Sequence, residues 1–216
     1  MSRNFYNRPH KALRAWMADT LVAVGRMDPR EDCEVRETLA RVEEMLAACE
    51  SHVKHEDEFV HRAMEAKRPG SSRVLATEHV EHLAAIEELR AATAARADDL
   101  HRRVAVFVAE NLDHMEHEEG DNTRVLGELF SDDELDALEA RLIQSIPPRE
   151  MMQFLRWMIP AMHHGERVEL LGGMRLNAPP PLFQAVMGVA RTHLQPLDYE
   201  RLEAAVDQRE PATLAS

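Results

Sequence analysis

The chain is short of cysteine, glycine, aromatic residues and positive charge. Two cysteines in 216 residues, Cys33 and Cys49, show no metal-type spacing. They set aside a disulfide framework and make a reducing cytosol the expected compartment. Glycine (8 residues) and aromatics (5%) are scarce, and β-branched runs are few while helix formers dominate. An all-α protein is therefore expected. Lys and Arg number 26 against 39 Asp and Glu, a net charge of -13. Nucleic acid and anionic membrane surfaces both call for a basic patch, so neither is expected as a partner. No apolar run is long enough to span a membrane, and none follows the opening Met-Ser-Arg-Asn as a leader would. The expected protein is helical, free of the membrane and cytoplasmic.

Apolar spacing and breakers divide the chain into helices. The first is expected from Pro9 to Val24, with Tyr6, His10, Leu13, Met17, Leu21 and Val24 on one stripe. The second runs from Asp32 to Ala66, roughly 50 Å at 1.5 Å per residue, and ends at Pro69-Gly70. The third starts after Ser71-Ser72, and the fourth starts after Asp98-Asp99 with a kink at Gly120-Asp121-Asn122. Ser131-Asp132-Asp133-Glu134 reads as a capping box opening a further helix. Shorter helices follow, over Glu150–Trp157, Gly165–Met174, Pro181–Leu194 and Asp198–Gln208, punctuated by Pro147-Pro148, Pro160 and Pro179-Pro180-Pro181. The chain divides near Phe130 into a first domain, 1–130, and a helical C-terminal extension, 131–216. No internal repeat stands out. The extension's apolar residues, such as Phe154, Leu155, Met158 and Ile159, are expected to pack on the first domain or to form a homodimer contact.

Histidine is what the first domain has in place of those missing residues. His52-Val53-Lys54-His55-Glu56 and His114-Met115-Glu116-His117-Glu118 each put an imidazole and a carboxylate four residues apart, on one helical face. His79 and His82 lie between them and His10 ahead of them, all on stripes that otherwise read as core. One histidine on an apolar face is ordinarily a satisfied core residue. Four stripes bearing histidine, two with a buried glutamate, would bury polar groups at several kcal/mol each without a shared partner. A cation removes that penalty. Imidazole with carboxylate suits iron, with zinc and manganese ranking behind it, and two glutamates can each bridge two cations. The candidate metal ligands are His10, His52, Glu56, His79, His82, His114 and Glu118. His55 and His117 face away from the stripes. Glu58 and His61 form the chain's one Glu-x-x-His pair, where a ferritin-type site needs two, and they are read as exposed and without metal. Cys49, one turn from His52, is the thiol nearest the site.

Residues 5–130 resemble the hemerythrin family, more closely its HHE cation-binding branch, through His10, His52-x-x-x-Glu56, His79 and His114-x-x-x-Glu118. The resemblance implies an up-down-up-down four-helix bundle holding two non-haem iron atoms bridged by oxo or carboxylate groups. Oxygen-carrying members show His-x-x-x-His in the third helix and His-x-x-x-x-Asp in the fourth. Here Leu83 and the His114-x-x-x-Glu118 spacing depart from that pattern. The departure points away from simple oxygen carriage and towards iron sensing, nitric oxide response or repair of iron centres. Three readings stay open: a di-iron protein that senses or handles oxygen, nitric oxide or iron; an enzyme or iron donor acting on peroxide or nitric oxide damage; and a structural helical module without metal.

Overall fold

The computed structural model describes residues 5–208, and its regular elements among them are all helical. The chain forms two compact units, Met1–Ile146 and Pro147–Ser216.

The first unit is built on four rods. α1 spans Asn7–Arg26. α2 (Asp32–His55) continues through a π-helical segment, π1 (Glu56–His61), into α3 (Arg62–Lys67). α4 spans Arg73–Ala94. α5 (Leu100–His117) continues through π2 (Glu118–Asn122) into α6 (Thr123–Leu129). α1 packs on α2 and α5, and α4 packs on the same two helices, which closes a ring of four. Short connections make successive rods antiparallel, the up-down-up-down order expected. Buried Leu13, Trp16, Met17, Val42, Met45, Leu46, Ile86, Val104 and Phe107 fill the end of the bundle away from the π segments. On α4 the buried face runs through Leu75, His79, His82, Ile86 and Leu89, and Arg90 at its margin pairs with Glu43 and Glu50 of α2.

The π segments are the main departure from the expected helices. Arg62 N–H reaches back five residues to Asp57 O, and Thr123 N–H to Glu118 O. Each inserts one residue into a turn without ending the helix. At Gly120, where a kink was expected, the rod carries π2. Nothing in the apolar spacing marked π1, because the rod continues through it.

α7 (Asp132–Ser145) opens on the expected capping box, with Glu134 N–H donating to Ser131 and Ser131 N–H donating to Glu134. It packs on π1, where Leu135 joins Tyr6, Val60, Met64 and Leu126 in one apolar cluster. Lys67 fixes α3 to this end by donating to Leu129 O and Glu134. The expected division at Phe130 therefore falls inside this compact unit, because α7 covers the site end of the bundle.

The second unit has four helices: α8 (Pro148–Ala161), α9 (His164–Asn177), α10 (Pro180–His193) and α11 (Pro196–Asp207). α8 packs on α10 and α9 on α11. α8 and α10 share one plan. α8 and α10 both begin with proline in the first turn. Both end on an extended, buried apolar residue, Met162 and Leu194, whose N–H returns to the last turn. This repeat lies in architecture rather than identity, so the sequence hid it. α8 also runs through Pro160, where a break was expected. Buried Arg167 donates to Ile159 O and Pro160 O at 2.9 Å each, serving the carbonyls at that end. His163, with Glu166, forms the cap of α9.

No helix of the described residues is long and apolar enough to cross a membrane.

Candidate metal centre

Glu56 and Glu118 each open a π segment and face one another in the bundle's interior, 2% and 0% exposed. Four histidines converge on them from four rods. His10 Nε2 lies 3.1 Å from Glu118 Oε2, and His52 Nε2 lies 3.2 Å from Glu56 Oε1. His114 Nε2 lies 3.2 Å from Glu118 Oε1, while His79 Nε2 lies 3.4 Å from Glu118 and 3.6 Å from Glu56. Among the described residues three groups of donors lie close enough to share an ion: His10, His52, Glu56 and Glu118; Glu56, His79, His114 and Glu118; and Asp57, His61 and His79, which borders the second through His79. We call the first two the first and second seats. Both glutamates belong to both seats.

The outer nitrogens explain which lone pairs point inward. His10 Nδ1–H donates to Glu119 at 2.9 Å, His79 Nδ1–H to Asp57 at 2.7 Å, and His114 Nδ1–H to Glu78 at 2.7 Å. An ionised carboxylate only accepts, so the proton sits on Nδ1 and the Nε2 lone pair faces the glutamates. Each of these carboxylates has a second partner: Arg14 on Glu119, His61 on Asp57 and His117 on Glu78.

The result is a core that the protein's own groups leave unsatisfied. His10 Nε2, His52 Nε2, His114 Nε2, both oxygens of Glu56 and Glu118 Oε2 are buried without a hydrogen-bond partner, although several lie at contact distance. Lone pairs facing lone pairs at these distances repel, and buried unpaired polar atoms cost several kcal/mol each. A cation in each seat would satisfy them together, so this donor set fits a pair of metal ions. The titration of the carboxylates agrees. Burial, and then the charge of Glu118 beside it, holds the Glu56 carboxyl well above the usual range. Without a cation, a single negative charge is the most the pair carries comfortably.

Six of the seven expected residues are thus brought together: His10, His52, Glu56, His79, His114 and Glu118. The seventh, His82, is buried beside them with its ring edge-on to His114, centroids 4.6 Å apart, and joins neither seat. His82 Nδ1 has no hydrogen-bond partner. His61 corrects the expectation of an exposed pair. Glu58 is exposed, but His61 is buried, bonded to Asp57 and stacked on His79 with centroids 4.6 Å apart. In an α-helix residues five apart diverge by roughly 140° at 100° each. A π turn closes on the fifth residue, so π1 brings His61 to the face that Glu56 occupies. His117 is part exposed and reaches the site only through Glu78.

Asp57, Glu78 and Glu119 had not been singled out. A signal was present: each motif glutamate is followed by a second acidic residue, and His79 is preceded by one. Tyr6 was expected only as core. Its ring lies on His10 and its hydroxyl accepts from Asn122 of π2, which covers the first seat. No match was found among curated proteins or among solved structures. Residues 2–126 match the family described as Hemerythrin HHE cation binding domain. With that match covering more than half of the chain, the protein belongs to the hemerythrin HHE cation-binding family.

Proposed function

We propose that the first unit holds two iron ions, one in each seat, bridged by Glu56 and Glu118, and that it senses or handles oxygen, nitric oxide or iron through them. The observation that carries this reading is the set of buried imidazole nitrogens and carboxylate oxygens that face one another at contact distance without a hydrogen-bond partner. Mixed nitrogen and oxygen donors favour iron over zinc, which more often draws on thiolate in closed sites. Cys49 is buried, yet it belongs to neither seat. Two histidines and two carboxylates per seat would hold an iron ion and leave positions on it open to a small ligand. Iron bound there would supply redox chemistry and affinity for such ligands. The residues on hand orient the imidazoles, through Asp57, Glu78 and Glu119, and cover the first seat, through Tyr6.

Elemental analysis of the full chain, purified without added metal or a histidine tag, tests the reading. The expected result is close to two iron ions per chain, with Glu56→Ala and Glu118→Ala each losing most of it. Iron content equal to wild type in both variants would remove these residues from the site. Steady turnover of peroxide or nitric oxide by the loaded protein would move the assignment from sensor to enzyme.

A further inference from the structure

The two seats share their glutamates but are otherwise built unequally. All four residues of the second seat are buried, whereas His52 of the first reaches the edge of the bundle with 14% of its side chain exposed. Water and small chelators therefore approach the first seat more readily.

The support behind the imidazoles differs as well. In the second seat both histidines donate through Nδ1 to a carboxylate at 2.7 Å, Asp57 for His79 and Glu78 for His114. Such a partner raises the basicity of the metal-facing nitrogen and fixes the ring. In the first seat only His10 has one, Glu119, at 2.9 Å. Among the described residues His52 has no carboxylate on its outer nitrogen. Glu119 is moreover drawn to the Arg14 guanidinium at 2.6 Å, so it lends less negative charge to His10. Arg14 also places a fixed positive charge on that side of the site, where it opposes a second one. Among the described residues the second seat has no counterpart to Arg14. The further partners of its two carboxylates are the imidazoles of His61 and His117.

We infer that the seats bind cations with different strength: the one between His79 and His114 retains its ion, and the one between His10 and His52 exchanges it. This rests on the two-cation reading above. The bundle would then hold one ion steadily while taking up or giving away the other. Arg14, which touches no cation, is the residue that sets the difference. Outer partners of metal-bound histidine are commonly worth 10–100-fold in affinity, so the two steps should differ by about tenfold or more.

Cobalt(II) titrated into the metal-free full chain against a chromophoric chelator tests this. Two steps about tenfold or more apart are expected in the wild type. His52→Ala should keep the tight step and lose the weak one, and His79→Ala should lose the tight one. Arg14→Met, a change at a part-exposed position, should tighten the weak step several-fold and leave the tight one unchanged, with circular dichroism confirming the fold. Two ions bound with equal affinity, or a tight step lost in His52→Ala, would overturn the inequality; a weak step unmoved in Arg14→Met would overturn the part given to Arg14; each would leave the two-cation reading standing. No cobalt bound by folded wild-type protein would overturn both.

Discussion

Cys49 and His52 lie one turn apart on α2, yet only the histidine reaches the glutamates. Burial pushes the Cys49 thiol up to about 12, so between pH 7 and pH 9 it stays protonated and neither ligates nor reacts. Cys33 is exposed. With excess iodoacetamide at pH 8, one alkylated cysteine per folded chain is expected, at Cys33, and two only after denaturation. Mass spectrometry of the peptides reads the outcome. At the same scale, Asp57→Asn keeps the shape of the residue but removes the charge behind His79, and should weaken retention of the second-seat ion by about 10–100-fold, measured as release to a chelator. Glu56, Glu118, His52 and His114 were legible in the sequence because i,i+4 spacing on an apolar face is a one-helix signal, and His10 and His79 because each stands on an apolar stripe. Asp57, Glu78 and Glu119 were not, because each serves a histidine on a different rod. Only packing shows which acidic residue of a pair lies behind which imidazole.

At the scale of elements, the π segments decide which residues meet. Apolar spacing gave the rods and the capping box at Ser131, since both are local. It gave neither π1 nor its effect on His61, because one inserted residue shifts the phase of a helix without altering its composition. Gly120 offers a test. It lies in π2, and a Cβ there would meet nothing within 4 Å. Gly120→Ala should therefore keep the metal and raise stability by about 0.5–1 kcal/mol. Metal content by elemental analysis and thermal melting followed by circular dichroism read the outcome. In the second unit, Arg167→Met strips two carbonyls of their donor. It should cost that unit about 1–3 kcal/mol, read from urea unfolding monitored separately for this unit.

For the whole molecule, the place where the chain divides matters more than its length. The change in composition after Phe130 was legible, but α7 turns back onto π1 and covers Tyr6, Val60 and Leu126 with Leu135. A chain ending at Ile146 should fold and hold the same number of ions as the full protein. One ending at Phe130 should melt lower and aggregate more readily, since it uncovers that apolar cluster. Equal melting of the two fragments would show that α7 adds nothing to the site end. The unsatisfied lone pairs at the centre bear on the life of the protein as well as on its chemistry. An ion that binds the folded bundle and not the unfolded chain adds its binding free energy to stability. The empty bundle, with its buried imidazole nitrogens and carboxylate oxygens left without partners, is the form that opens most often, and an opened chain is what proteases degrade. Pulse-chase labelling in cells treated with a membrane-permeable iron chelator should therefore find the protein short-lived, and resupply of iron should lengthen its half-life. Its abundance would then follow the supply of the ion it carries, with no change in the rate at which it is made.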